Sequence, residues 1–346
     1  MYKRQVQAGA QASRDWRWRL LGLAISVVAI AIVVLTVDVG AAIEIIFTAD
    51  LALLGLVLLV IATQLVIRAV RWRVLLPDRP DGTAVPVTRA LPPMLVGYLG
   101  NAVLPARLGE PIRALLVARR EALDALAAFG ATMLERLVDT TTLALIAFVA
   151  AVALGAAAWV VGVGAAAGIG GLFVLALLVA FGAARLVEFT VRVLQRIGLG
   201  RRTERLQRWS RSFAVGLDRG RDVKRLLKAI ALSLIAWLLD GLIFLIVAWA
   251  LDLHISLPQA VLIGAVTVLS TAVPAAPGYV GTFELATTTT AIALGVPEAG
   301  ALALGILAHA IGVIPVAIAG VIALVLMGTR LSSLVVDAEE VDHVSA

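Results

Sequence analysis

Long apolar runs separated by short polar stretches dominate this chain. The clearest cover residues 20–37, 51–67, 140–154, 155–184, 229–251 and 299–327. A helix needs about 20 predominantly apolar residues to cross a hydrocarbon core, so these runs predict about six full spans. Three further apolar segments, 91–104, 257–273 and 285–294, are shorter and lie next to prolines 92, 93, 105, 274 and 277. Proline removes a helical hydrogen bond and clashes with the preceding turn, which argues against unbroken helices there.

Two punctuated stretches stand at matching places in the two halves. One runs from Gly97 to Glu110 through Asn101, Pro105, Arg107 and Gly109. The other runs from Ser270 to Glu284 through Pro274, Pro277, Gly278 and Gly281. Paired breaks of this kind point to a binding site at a repeat interface in a membrane transporter.

Charge placement orients the spans. Lysine and arginine gather in residues 3–19, 68–120 and 185–228 and at Arg330, whereas segments 38–50, 155–159 and 252–298 contain none. Cationic loops stay on the cytoplasmic side, so both termini are expected there. Segment 91–104 has basic flanks on both sides and reads as a re-entrant hairpin from inside. Segments 257–273 and 285–294 have no cationic flank and read as a hairpin from outside. Ordinary short or kinked spans are the alternative. The resulting order is span, span, hairpin, span, repeated once in the opposite sense, an inverted-topology repeat.

The expected organisation is a basic N-terminus (1–19) and a first repeat (20–154) with its inner hairpin at 88–120. A second repeat (155–330) follows, with a basic interfacial segment at 185–228 and an outer hairpin at 257–295, and then a polar tail (331–346). The fold class is an all-α polytopic membrane protein.

Composition agrees with this pattern: 61% of residues are hydrophobic, 15% are charged, and the mean hydropathy is +1.02. A pI near 10.4 alone would suit a nucleic-acid binder, but the cations flank apolar runs, which favours anionic lipid headgroups instead. The absence of cysteine excludes disulfides, thiolate metal sites and a cysteine nucleophile. The first apolar run is long, lacks a small-residue cleavage site and leads into further spans, so it is not read as a secretory signal.

Several polar residues carry candidate chemistry. Asn101 lies mid-segment, where an unpaired amide in lipid would be costly, so it should face protein or ligand. Glu110 and Arg113 share a helical face. Arg107 and Arg113 could clamp a lipid phosphate, because a guanidinium offers a bidentate fork; a purely structural Arg–Glu network is the alternative. Glu135, Arg136 and Asp139 lie within one expected helix, 121–154. They form either a partly wet pair at the interface or a wall shared with Glu110 and Arg113.

In the second stretch, Gly278 and Gly281 let the backbone approach a ligand closely, next to Pro277. A helix should begin near 282–284, with Glu284 at its positive end. The threonines 287–290 should bond back to preceding carbonyls. Asp240, Glu284 and His309 are candidates for ion coupling. The stripe Leu206, Trp209, Phe213 and Leu217, ringed by arginines, reads as an amphipathic helix lying in the membrane interface. No histidine pair has metal-ligand spacing, so neither metal nor cofactor is expected.

These residues also carry a family resemblance. The chain resembles the membrane domain of bacterial lysylphosphatidylglycerol synthase/flippase proteins and their stand-alone, flippase-like relatives. The matching residues are Arg71-Trp72-Arg73 with Leu75-Leu76, and Gly100-Asn101 with Leu104-Pro105-Ala106-Arg107-Leu108-Gly109-Glu110 and Arg113. Glu135-Arg136 with Asp139 also match, as do Pro274, Pro277-Gly278-Tyr279-Val280-Gly281 and Glu284. The likeness covers roughly 15–330.

It implies movement of a lipid or lipid-linked headgroup between leaflets, without the synthase domain of the best-known members. The expected function is a lipid flippase-like transporter of the cell (cytoplasmic) membrane that uses a polar cavity formed by the two hairpins, and not an enzyme. Expected partners are membrane lipids, anionic phospholipid or polyprenyl-linked lipid, with no nucleic acid. A homo-oligomer or a separate lipid-modifying enzyme are further partners left open. The alternatives are a membrane-embedded transferase acting on a lipid-linked substrate, or a scaffold for a separate enzyme.

Overall fold

A computed structural model describes residues 22–104, 107–185, 188–189, 203–272 and 275–329. The basic N-terminus, the polar tail, Pro105, Pro274 and the middle of the basic segment lie outside these residues. Every regular element described is helical. In chain order these are α1 (Gly22–Thr36), α2 (Val39–Phe47), α3 (Leu51–Leu75), α4 (Val87–Val103), α5 (Gly109–Glu121) and α6 (Ala125–Ala153). They continue with α7 (Ala158–Phe181), α8 (Thr203–Leu217), α9 (Val223–Ala250), α10 (Leu257–Ser270), α11 (Thr282–Ala293) and α12 (Glu298–Leu326).

Five of these helices, α3, α6, α7, α9 and α12, are long and apolar enough to cross a bilayer, and a sixth crossing follows if α1 and α2 form one broken span. At 25 residues, α3 rises about 37 Å, more than the roughly 30 Å hydrocarbon core. Leu59, Ile169 and Val325 are 64%, 65% and 72% exposed, which suits surfaces covered by lipid rather than water.

The first apolar run differs from its expected form. It supplies only α1, and the expected acidic loop after it forms α2, which leaves α1 at 87°; Asp38 accepts the Ala41 N–H at 3.0 Å and caps α2. The long helix expected over 121–154 is present as α6 and begins four residues later. Ala122 adopts a left-handed conformation with φ 53° and ends α5, and Asp124 caps α6 through the Ala127 N–H at 2.8 Å. Pro92 and Pro93 stay inside α4 rather than breaking it.

Two compact units divide the chain. One comprises residues up to Leu58, Asn101–Arg107 and Gly241–Ile314; the other comprises Leu59–Gly100, Leu108–Asp240 and the residues from Pro315.

In the second of these, α4 and α5 pack antiparallel at very short range. A Cβ at Gly97 would stand 2.8 Å from the Gly109 carbonyl oxygen, and one at Gly100 would stand 3.0 Å from Gly109 Cα. Glycine permits this approach, and Met94, Ala114, Val117 and Ala118 fill the adjoining core with Trp72. In the same unit α8 lies against α6. A Cβ on Gly216 would meet the Ala127 carbonyl oxygen at 2.0 Å, and one on Gly130 would meet the Phe213 carbonyl oxygen at 2.2 Å. Phe213 packs on Phe129 at 5.9 Å, and Leu217 joins a core with Leu134 and Val138. Part of the stripe expected to face the membrane interface is therefore covered by protein.

Replacing Gly216 with leucine should cost about 1–3 kcal/mol through overpacking. Thermal unfolding of the solubilised chain checks this, and Val215→Ala, at a residue 57% exposed, should change little.

Between α3 and α4, Asp78 binds Arg219 at 2.7 Å and Arg225 at 3.4 Å. Partial burial pushes its carboxyl up, but the two guanidinium groups outweigh this and hold it below the usual carboxylate range.

In the other unit α10 and α11 form a second antiparallel pair. Gln259 donates to the Leu294 carbonyl oxygen at 3.1 Å, Thr267 and Thr287 share a hydroxyl bond at 2.9 Å, and Ser270 donates to the Thr282 carbonyl oxygen at 3.5 Å. α11 begins at Thr282 as expected. Thr287 and Thr289 donate back to the Phe283 and Leu285 carbonyls at 2.9 and 2.7 Å.

Candidate functional site

α3, α5 and α6 bring a dense charge network together inside one unit. Glu135, fully buried on α6, accepts from two arginines through different oxygens. Arg71 Nε and Nη2 reach its Oε1 at 3.1 and 2.7 Å, and Arg113 Nη2 reaches Oε2 at 2.6 Å. Arg113 also binds Glu110 Oε2 at 2.6 Å, and Arg71 binds Asp139 and donates to Ser233 Oγ at 3.0 Å. The face of Trp72 lies 4.8 Å beneath the Arg113 guanidinium, while the indole N–H is spent on Thr132 at 3.1 Å. At the edge, Arg68 Nη1 stands 4.0 Å from Asp139 Oδ2 and lies over Trp237 at 4.8 Å.

Arg136 is held differently. It stands 3.8 Å from Glu110, 3.7 Å from Glu135 and 3.8 Å from Asp139, too far for hydrogen bonds, and 26% of its side chain is exposed. Its Nε and Nη2, Nη1 of Arg113 and the hydroxyl of Tyr98 are buried with no acceptor among the described residues. Tyr98 lies within electrostatic reach of both Arg71 and Arg136. Arg68, Arg71, Arg113 and Arg136 face Glu110, Glu135 and Asp139, and Arg68 also lies within electrostatic reach of Asp240, so four cations meet four carboxylates. Buried donors without acceptors are costly in a low-dielectric setting, and a ligand bearing several acceptor oxygens would satisfy them.

The expected neighbours Glu110, Arg113, Glu135, Arg136 and Asp139 thus come together. Arg113, expected to clamp phosphate, directs most of its donors at carboxylates and is 1% exposed. Arg71 and Tyr98 were not among the expected site residues. Apart from the family resemblance, Arg71 was legible as one of several cations beside a span.

The punctuated stretches supply the remaining candidates, in the other unit. Asn101 is half-buried in the last turn of α4. Exposed Arg107 takes a left-handed conformation, φ 56°. Its Nη2 donates to the Thr271 carbonyl oxygen at 2.7 Å and hydroxyl at 2.9 Å, and its guanidinium lies 5.8 Å from the Tyr279 ring centre. The tip of the first break therefore touches the second. Pro277 and Gly278 open a short 3-10 turn, Pro277–Tyr279, with Gly278 at φ 72°. Gly281, at φ 89°, precedes α11, and its N–H donates to Glu284 Oε2 at 2.7 Å.

Of the three ion-coupling candidates, Glu284 and His309 meet at 2.6 Å. Asp240 belongs to the other unit and accepts from Gln64 at 3.1 Å.

The family model described as lysylphosphatidylglycerol synthase TM region matches residues 19–320 of the chain. No curated protein and no solved structure matches it.

Proposed function

The chain belongs to the family of lysylphosphatidylglycerol synthase transmembrane regions, and from that premise we propose that it moves an anionic phospholipid or lipid-linked headgroup between leaflets. Membership and apolar helices already make it a multi-pass membrane protein of lipid handling. The observation that supports the finer reading is the set of buried, unspent donors on Tyr98, Arg113 and Arg136 beside the arginine–carboxylate network.

A phosphodiester brings one negative charge and several acceptor oxygens. Arg136 presents Nε and Nη2 as a planar fork that matches two of those oxygens. Arg113 Nη1 and Tyr98 Oη offer further donors, and charge-assisted bonds to a phosphate gain strength in a setting where charge is poorly screened. The carboxylates keep Arg71 and Arg113 fixed, so the donors are positioned before the headgroup arrives. In this account the two antiparallel helix pairs are re-entrant hairpins, and Arg107, Asn101 and the Pro277–Gly281 backbone give the headgroup a second polar station while the acyl chains remain in lipid.

Glu135 and Asp139, the carboxylate pair an enzyme would use, are tied to guanidinium groups, which favours transport over acid–base chemistry.

Leaflet exchange in proteoliposomes tests this, using headgroup-labelled phosphatidylglycerol, lysyl-phosphatidylglycerol, polyprenyl phosphate and phosphatidylcholine. The expected result is protein-dependent exchange of at least one phosphate-bearing anionic probe at on the order of ten times the phosphatidylcholine rate. Equal rates for all probes, or none from folded protein, would overturn the reading.

A further inference from the structure

His309 faces two acceptors at once. Its Nδ1 stands 2.6 Å from Glu284 Oε1, and its Nε2 stands 2.8 Å from the Gly278 carbonyl oxygen. A carbonyl oxygen only accepts, so Nε2 must carry a proton; the contact at Nδ1 needs a second proton, on the nitrogen or on the carboxyl. The pair is therefore either carboxylate with imidazolium or carboxylic acid with imidazole. Both forms hold two protons and are neutral as a whole. Removing one proton leaves a bare Nδ1 facing a carboxylate, or a bare Nε2 facing a carbonyl. One of the two contacts must then fail.

Those contacts hold a bent piece of backbone. Gly278 and Tyr279 both have positive φ, 72° and 61°; glycine adopts this freely, but at tyrosine it persists only where the surroundings fix it. Glu284 grips the same segment through the Gly281 N–H, and the Phe283 ring stacks on the imidazole at 4.2 Å. Beyond the turn, Tyr279 meets Arg107.

Few other charges face the pair. α1 and α10 contain no acidic or basic residue; α9, whose Phe244 stacks on Phe283 at 6.4 Å, carries Asp240 one turn earlier, where it accepts from Gln64. α11 contributes only Glu284, and α12 adds only Glu298 at its start. The turn brings the Tyr279 phenol, and Arg107 is held by Thr271.

We propose that Glu284 and His309 form a proton-binding site whose occupancy latches the Pro277–Tyr279 turn to α12. With both protons present the turn is held. Loss of one, by breaking an N–H or O–H bond and passing the proton to water, frees the turn and with it the Tyr279–Arg107 contact. The latch goes beyond the lipid reading and does not depend on it, because it is read from backbone accessibility without any lipid substrate.

The chain has no cysteine, so Val280→Cys, beside the turn at a residue 47% exposed, introduces a single thiol. Its maleimide labelling rate in the reconstituted full chain is divided by that of Ala84→Cys, an exposed loop position, which cancels thiol ionisation. Between about pH 5 and pH 9 the ratio should rise about tenfold, the factor for losing one charge-assisted bond.

In a Glu284→Gln background the ratio should stay flat. The carboxamide can donate to Nδ1 and still accept from Gly281, so the latch closes without the extra proton. His309→Phe keeps the stacking, loses both bonds and should label fast throughout. A flat ratio in the unmodified background overturns the proposal whatever the variants do, and so does the same rise with Glu284→Gln.

Discussion

Replacing Glu135 with alanine is expected to cost the folded chain roughly 3–5 kcal/mol, the largest stability loss among these residues. The substitution leaves Arg71, 0% exposed, without its Nε and Nη2 acceptor and leaves Arg113, 1% exposed, with Glu110 alone. Neither guanidinium can escape by deprotonating, because arginine stays charged in proteins. Both arise from sites enclosed by Trp72, Ser233 and apolar residues, with little water to take over. In thermal unfolding of the solubilised chain the loss should appear as a drop on the order of 10 °C, taking a few degrees per kcal/mol for a chain of this size. Glu135→Gln preserves shape and one acceptor and should fall between. A change below about 1 kcal/mol, the range of a surface ion pair, would mean that Glu135 does not organise the network.

Arg136→Ala should do the opposite, sparing the fold and removing transport. Its guanidinium makes no hydrogen bond to the three carboxylates around it. Deleting it breaks no hydrogen bond among the described residues, so the stability loss should be far smaller than for Glu135→Ala. The loss falls on the headgroup. Two charge-assisted bonds to a phosphate are worth enough to lower leaflet exchange of an anionic probe by on the order of 10–100-fold. Arg136→Lys keeps the charge but not the fork and should recover only part of the rate. Unfolding that tracks the lost exchange would make Arg136 a structural residue.

The two substitutions mark what the sequence makes legible. Local spacing was enough for Glu110 with Arg113 and for Arg136 with Asp139, because residues three apart share a helical face. It was also enough for the start of α11, where Gly281 and Glu284 form a capping arrangement. Arg71 is another matter. Beside an apolar run an arginine reads as a cytoplasmic flank, and only partners 64, 68 and 162 positions away make it a buried centre of the network. The same limit hid the contact of Tyr279 with Arg107 and made Glu284 and His309 two separate candidates rather than one pair.

Amphipathicity is ambiguous in a different way. The stripe on α8 is equally suited to lipid and to protein, and the choice is made by Gly130 and Gly216, whose missing side chains let α6 and α8 touch backbone to backbone. The 87° turn after Thr36 was likewise hidden, because Asp38 fits a loop as well as a helix cap.

The central claim is that unspent donors beside Arg136 receive a lipid phosphate, and equilibrium binding tests it most directly. Native mass spectrometry of the purified chain, titrated with short-chain phosphatidylglycerol and phosphatidylcholine, gives both affinities in one measurement. The account predicts a preference for phosphatidylglycerol of about tenfold or more that disappears in Arg136→Ala while the protein remains folded. Equal binding of the two lipids, or a preference that survives Arg136→Ala, would contradict it.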